Sequence, residues 1–225
     1  MDYRHELKFL VTEGQLAILK AGLSPLLKQD VHQNGQAYRI RSLYFDDLNY
    51  SCMRENEAGV DHRKKYRIRI YNEDASLIKL EKKIKCRGMT RKVSSVITKD
   101  DSLLYMSGQA PSAEGRSELE KEMYVQIKAN GMRPVCIVEY ERSAFIDPRG
   151  NVRITFDRNI CGCDKSTDFL EKRLLSVPLL PPGQHVLEVK YDELLPQYIA
   201  EVLHMGTLQR TAFSKYYYAG NYKNK

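Results

Sequence analysis

The chain has no apolar run approaching the ~20 residues that a membrane-spanning helix requires, and with a charged strand at its start no secretory segment is expected. Its cysteines, Cys52, Cys86, Cys136, Cys161 and Cys163, are odd in number and lack Cys-x-x-Cys spacing. That argues against a disulfide framework and against a structural zinc site. Cys161-Gly162-Cys163 is a close pair, read here as reduced loop thiols. The five histidines (His5, His32, His62, His185 and His204) show no His-x-x-x-His spacing, so each reads as a surface or packing residue. Ser214 has no nearby histidine partner, and no nucleophilic triad is evident. Repeats, low-complexity linkers and RNP, helix-turn-helix or zinc-finger patterns are also missing, which disfavours nucleic acid as a partner. The expectation is a cytoplasmic protein without a membrane span.

What is present suits one domain over residues 1–225. Hydrophobic residues make up 42% and charged residues 29% of the 225, enough for a core and against disorder. A net charge of +7 and a pI of about 9.0 favour acidic ligands.

Charged side chains recur at every second residue in five stretches: Arg4-His5-Glu6-Leu7-Lys8, Arg67-Ile68-Arg69, Lys79-Leu80-Glu81-Lys82-Lys83, Arg153-Ile154-Thr155-Phe156-Asp157 and Glu188-Val189-Lys190. In a strand, residues two apart share a face. Most intervening positions are apolar, so each strand has an oily side and a charged side. If the charged sides face water, the protein is an ordinary half-buried sheet. If they converge, they line a cavity for a polyanion.

Strands are predicted at Arg4–Phe9, Tyr38–Phe45, Arg63–Tyr71, Ser76–Lys85, Thr90–Thr98, Pro134–Ile146, Asn151–Asp157 and His185–Lys190. Asn72-Glu73-Asp74 and Asp147-Pro148-Arg149-Gly150 read as hairpin loops, and Asp46-Asp47-Leu48-Asn49 as a turn. Capping boxes at Thr12–Gln15 and Ser117–Glu120 open helices that run to about Leu27, with Pro25 bending it or ending it early, and to Gly131. A third helix is predicted from about Asp192 to Met205. The fold class is α+β: an eight-stranded antiparallel barrel with helices packed outside. Eight strands leave an interior wide enough for side chains or one ligand, and buried charges there need opposite charges, water or a ligand.

Seven motifs then occur in order: Arg4-x-Glu6-x-Lys8, Arg67-x-Arg69, Leu80-Glu81-x-Lys83, Tyr140-x-Arg142-x-Ala144-Phe145, Arg153-x-Thr155-x-Asp157, Leu187-Glu188-x-Lys190 and Phe213-Ser214-Lys215-Tyr216. Together they resemble the VTC domain, the catalytic domain of the vacuolar transporter chaperone polyphosphate polymerases, within the CYTH-like triphosphate tunnel metalloenzymes. The resemblance spans Tyr3 to about Tyr218. It implies a tunnel that binds ATP, triphosphate or polyphosphate with Mn²⁺ or Mg²⁺, and a transferase that moves the terminal phosphate of ATP onto a polyphosphate chain. Phosphate would be held by Lys8, Arg67, Arg69, Lys83, Arg142, Arg153, Lys190 and Lys215, with Tyr140 and Ser214 as hydroxyl donors and Glu188 as the metal carboxylate. Arg4 stands where the tunnel hydrolases usually carry Glu, which favours the polymerase branch. The basic residue expected after Lys83 is Lys92 or Arg91, and Lys79 shares the face of Lys83. The resemblance also expects a lysine where this chain has Ala212, with Arg210 as a substitute.

Residue chemistry points the same way. Guanidinium groups match two phosphate oxygens at once. Phosphoryl transfer needs alignment and charge neutralisation more than covalent help. Mg²⁺ and Mn²⁺ bind through one or two carboxylates plus substrate phosphates; Glu6 and Glu81 are either further ligands or ion-pair partners that orient the cations. Arg63-Lys64-Lys65 and Lys82 are expected on the solvated outer rim, while Arg39 and Arg41 either extend the lining or do not. A triphosphate hydrolase of the same fold and a non-catalytic polyphosphate-binding module are the alternatives.

Overall fold

The computed structural model describes residues 3–30, 33, 37–205 and 207–221. His32 lies outside them. The elements are β1 (His5–Thr12), α1 (Glu13–Leu23), β2 (Lys28–Gln29), β3 (Tyr38–Asp46), α2 (Ser51–Glu57), β4 (Arg63–Tyr71), β5 (Asp74–Cys86), β6 (Met89–Ile97), α3 (Lys99–Met106), α4 (Glu118–Asn130), β7 (Arg133–Asp147), β8 (Val152–Cys163), β9 (Val177–Pro178), β10 (Gln184–Tyr191), α5 (Gln197–Met205), β11 (Gln209–Arg210) and α6 (Lys215–Gly220). Short 3₁₀ turns occur at Arg149–Asn151 and Ser166–Leu170.

The molecule is α+β, with one antiparallel sheet of eleven strands and six α-helices among the described residues. The eight predicted strands correspond to its eight long strands; β2, β9 and β11 add two residues each. The order is β11-β1-β10-β8-β7-β3-β4-β5-β6, with β2 on β7 and β9 on β8. This path is open rather than a continuous closed ladder. Its two sides meet at one bridge, where Arg4 and Thr90 exchange both backbone hydrogen bonds at 2.9 and 2.8 Å.

Apolar faces of the strands bury against helices. Leu43, Phe45, Ile68, Ile70, Ile78 and Leu80 pack under Tyr105 of α3 and Leu119 and Met123 of α4. Val11, Ile154, Phe156, Leu187 and Val189 pack under Leu16, Leu19 and Leu23 of α1 and Ile199 of α5. A third cluster gathers Tyr44, Val138 and Val186 from the opposite strand faces around Phe213 and Tyr216, so α6 sits against the charged face of the sheet.

Local signals explain most boundaries. Thr12, Thr98 and Ser117 each form a capping box, with Gln15, Asp101 and Glu120. Gly131 ends α4 in the left-handed region at φ 63°. Asn72 and Glu73 both take positive φ (51° and 60°), the primed turn that suits the twist of β4 and β5. Helix α1 stops at Leu23, because Pro25 has no N–H to continue it. Helix α5 begins only at Gln197, directly after Pro196. Helices α2 and α3 are additions to the sequence expectation. The Asp46–Asn49 turn is also the start of α2: Asp46 accepts from the Cys52 N–H at 2.9 Å and Asp47 from the Ser51 N–H at 2.9 Å. No helix among the described residues is long and apolar enough to cross a membrane, and all five cysteines are free thiols.

Candidate functional site

The pleat sorts the side chains. In β4, residues 63, 65, 67 and 69 point to one face, while Tyr66, Ile68 and Ile70 are buried on the other. In β10, Glu188 and Lys190 oppose Leu187 and Val189. The charged faces of β1, β4, β5, β6, β7, β8 and β10 turn toward a common cavity of about 1210 Å³. Sixteen lysines and arginines border it against three carboxylates, Glu6, Glu188 and Asp192. That excess is larger than the net charge of +7, so the rest of the chain is net acidic and the positive charge is concentrated in the cavity.

Strand register pairs these groups across the sheet: Lys8 opposite Glu188, Glu6 opposite Lys190, Arg67 opposite Glu81 and Arg142 opposite Asp157. One network centres on Glu6 and Glu188. The Lys83 amine lies 2.7 Å from both Glu6 oxygens. Lys8 sits between the carboxylates at 3.4 and 3.5 Å, and Lys190 does the same at 3.9 and 3.7 Å. Lys215 reaches Glu188 at 2.9 Å and Asp157 at 2.6 Å. Arg142 grips Asp157 bidentately at 2.6 and 2.7 Å. A second network centres on Glu81, which is fully buried and takes Arg67 at 2.7 Å, Lys92 at 2.9 Å and Arg69 at 3.6 Å. The Tyr44 hydroxyl accepts from Arg67 at 3.0 Å and that of Tyr140 from Arg69 at 3.3 Å. Arg153 joins Asp30 at 2.6 Å, and Arg4 joins Asp192 at 2.8 Å.

Burial alone would raise the carboxyl pKa values. The surrounding cations outweigh it: Lys83, Lys190 and Lys8 hold Glu6 well below its ordinary value, and Lys215, Lys8 and Lys190 do so for Glu188. Arg67 and Arg69 do the same for Glu81. The carboxylates are therefore ionised at neutral pH. The lysines divide. Lys8 and Lys215 are raised, burial being overcome by Glu188 with Glu6 or Asp157. Burial, with cationic neighbours, pushes Lys83 down to about 8 and Lys65 to about 7.

All the predicted cations border the cavity: Arg4, Lys8, Arg67, Arg69, Lys79, Lys83, Arg142, Arg153, Lys190 and Lys215, and so do Tyr140, Ser214, Glu6 and Glu188. Arg91 and Lys92 both border it, and Lys92 is the one paired to Glu81. Glu81 stands behind the wall, clasping the cations. Among the described residues no group of three His, Cys, Asp or Glu side chains is poised to hold a metal unaided. Glu6 and Glu188, ionised and bridged by the same two lysines, fit the other mode, in which one or two carboxylates share a divalent ion with phosphate oxygens.

Some expectations change. Arg39 and Arg41 leave the lining, because odd positions of β3 face outward: Arg41 is buried on Glu139 and Arg39 pairs with Glu73. Lys64 and Lys82 do lie outside, both on Glu122, but Arg63 and Lys65 border the cavity. Lys65 shares the parity of Arg67 and Arg69, and that signal was in the sequence. Asp157 shares the parity of Arg153, and it anchors Arg142 and Lys215. Lys85 shares the parity of Lys79 and Lys83, whereas Tyr44 carried no such flag. Arg210 and Ala212 line the cavity, yet the amine beside Ser214 is Lys65, at 2.9 Å.

A family model described as the VTC domain matches residues 3–222. Among curated proteins no sequence matches. Among solved structures, a "putative adenylate cyclase" from Bacillus halodurans is similar at a TM-score of 0.57 and 13% identity, over 95% of this chain and 96% of that one. A Pyrococcus horikoshii protein is similar at 0.50 and 12%, over 99% and 100%. At these identities the likeness is one of fold.

Proposed function

Since the chain belongs to the VTC domain family, we propose that it is a metal-dependent polyphosphate polymerase, which moves the terminal phosphate of ATP onto a polyphosphate chain held in the basic cavity. The reading rests above all on one observation: sixteen cations from many strands converge on a single cavity with only three carboxylates. We read the eight long strands as a single-domain tunnel over residues 1–225, drawn together where Arg4 meets Thr90, in a cytoplasmic protein.

In this reading Arg67, Arg69, Arg142 and Arg153 bind phosphate oxygens in pairs, and Lys8, Lys83, Lys190 and Lys215 supply point charges between them. Arg4, Lys79, Arg91 and Lys92 extend the path, and Tyr140 and Ser214 donate hydroxyl hydrogens. Glu188 and Glu6 would hold Mn²⁺ or Mg²⁺, which offsets charge on the transferring phosphoryl group when bound. Glu81 and Asp157 keep the guanidinium and ammonium groups aimed at the substrate before it arrives. The acceptor is a phosphate oxygen, already anionic, so the site needs no base; preorganised cations lower the barrier by meeting charge where it develops.

The test is incubation of the pure protein with ATP and Mn²⁺, with products resolved by chain length. Long phosphate chains are the expected product. Orthophosphate alone would make the protein a triphosphate hydrolase with water as acceptor, and binding without turnover would make it a polyphosphate-binding module.

A further inference from the structure

Lys65 differs from five other lysines in the cavity wall, although Lys79 and Lys85 also border the cavity without an ion pair among the described residues. Lys8, Lys83, Lys92, Lys190 and Lys215 each touch a carboxylate. Lys65 makes no ion pair among the described residues. Its amine donates to Asn56 Oδ1 of α2 at 2.7 Å and to Ser214 Oγ at 2.9 Å, and lies 5.7 Å over the Tyr216 ring. The charges that act most strongly on it are positive: Lys8 from β1, Lys83 from β5 and Arg63 from its own strand. Two other titratable neighbours, the Cys52 thiol of α2 and the Tyr216 hydroxyl of α6, are both pushed up by burial and by Asp46 and stay neutral. A half-buried ammonium beside three cations is under electrostatic strain that a bound anion would relieve. An ammonium has three hydrogens and two are spent on Asn56 and Ser214, which leaves one for a ligand. The Ser214 hydroxyl accepts from Lys65 and from the Tyr217 N–H at 3.3 Å, so its own hydrogen is available too.

We propose that Lys65 and Ser214 together form a subsite for one phosphate group of the bound chain, and that filling it draws a proton onto Lys65. The proposal rests on the phosphate reading of the cavity. No bond to phosphorus forms or breaks: a proton from buffer moves to the Lys65 amine as the phosphate oxygens accept hydrogen bonds from Lys65 and Ser214. Because this lysine titrates near neutrality, affinity should fall as pH rises above about 7, where binding must first charge the amine.

Titration calorimetry of the full chain with tripolyphosphate at pH 8, in two buffers of different ionisation enthalpy, tests this. Wild type should take up protons on binding, with Lys83 contributing a share. Lys65→Met should bind at least tenfold more weakly and take up roughly half a proton or more less. Lys65→Arg should recover affinity, since a guanidinium stays charged, but not the lost uptake. The neighbouring Lys64→Met, on the outer face, should match wild type in both. If Lys65→Met matches wild type in affinity and uptake, the subsite is wrong. Should Lys65→Met fail to fold, Lys65→Arg decides alone: unchanged proton uptake in that variant overturns the proposal. A wild-type protein that binds no tripolyphosphate overturns the functional reading, and this subsite with it.

Discussion

At the scale of single residues, Glu81 separates a structural carboxylate from a metal ligand. It has no exposed surface and holds Arg67, Arg69 and Lys92. Glu81→Gln leaves three cations crowded without their anion, and breaking such a buried pair costs about 3 kcal/mol or more. Tripolyphosphate should restore part of that, so the ligand-induced rise in Tm should be larger in the variant than in wild type. The Mn²⁺ concentration for half-maximal activity should stay where it was; a tenfold shift would place Glu81 on the metal instead. Glu6 and Glu188 should behave in the opposite sense. The depressed carboxyls also set acid stability. Their folded pKa values lie below the ordinary 4.5 of Glu6 and Glu188 and 3.8 of Asp157. The stability they contribute is therefore complete above about pH 4.5 and is lost as pH falls through the folded values. Melts between pH 7 and 2 should show a Tm that holds to near 4.5 and then declines; a decline beginning at pH 6 would mean that groups other than these carboxylates govern instead.

At the scale of elements, α6 is the piece that the rest of the fold must hold in place. Six residues cannot form a stable helix alone. Ser214 caps it, Tyr216 stacks on Tyr44 at 5.3 Å, and Phe213, almost fully buried, stacks on Tyr218 at 4.4 Å. Phe213→Ala should cost about 3–5 kcal/mol in denaturant titrations and should weaken tripolyphosphate binding by releasing Ser214 and Lys215 from the cavity wall. Undiminished affinity in a destabilised Phe213→Ala would show that α6 serves packing only. This element also marks where the sequence was hard to read. Five of the eight long strands were legible from a charge at every second residue, and much of the site was legible because the same alternation carries its charges. Helices α2 and α3 were not: α2 is capped from outside by Asp46 and Asp47, which looked like a plain turn, and α3 follows directly on a strand. Parity within Arg63–Arg69 would have found Lys65, but three adjacent basic residues suggested a solvated rim. Arg39 and Arg41 show the converse failure, since alternation gives two faces and no absolute direction until the neighbouring Leu43 and Phe45 are seen to enter the core.

At the scale of the whole molecule, the cavity is a store of unfavourable electrostatic energy. Sixteen cations and three carboxylates border a space of about 1210 Å³; Glu81, Asp157 and Asp30 behind the wall offset only part of the excess, and the partly dehydrated like charges that remain raise the free energy of the empty fold. A ligand of high negative charge density should relieve this repulsion, and by mass action it should stabilise the folded state alone. At a concentration 100 times Kd, tripolyphosphate should add about 2.7 kcal/mol, or a rise in Tm of roughly 5–10 °C for a chain of this size. Sulfate at equal ionic strength should give much less, because one small dianion cannot reach the Glu6–Glu188 and Glu81 networks together. Raising salt from about 50 to 500 mM shortens screening from about 14 to 4 Å; the bare protein should then gain stability while the tripolyphosphate shift shrinks. The two opposite salt trends come from the same charges, so they stand or fall together. A bare protein that loses stability with added salt, beside a Tm indifferent to tripolyphosphate, would mean that internal ion pairs already neutralise the cavity and that it is not built to receive a polyanion.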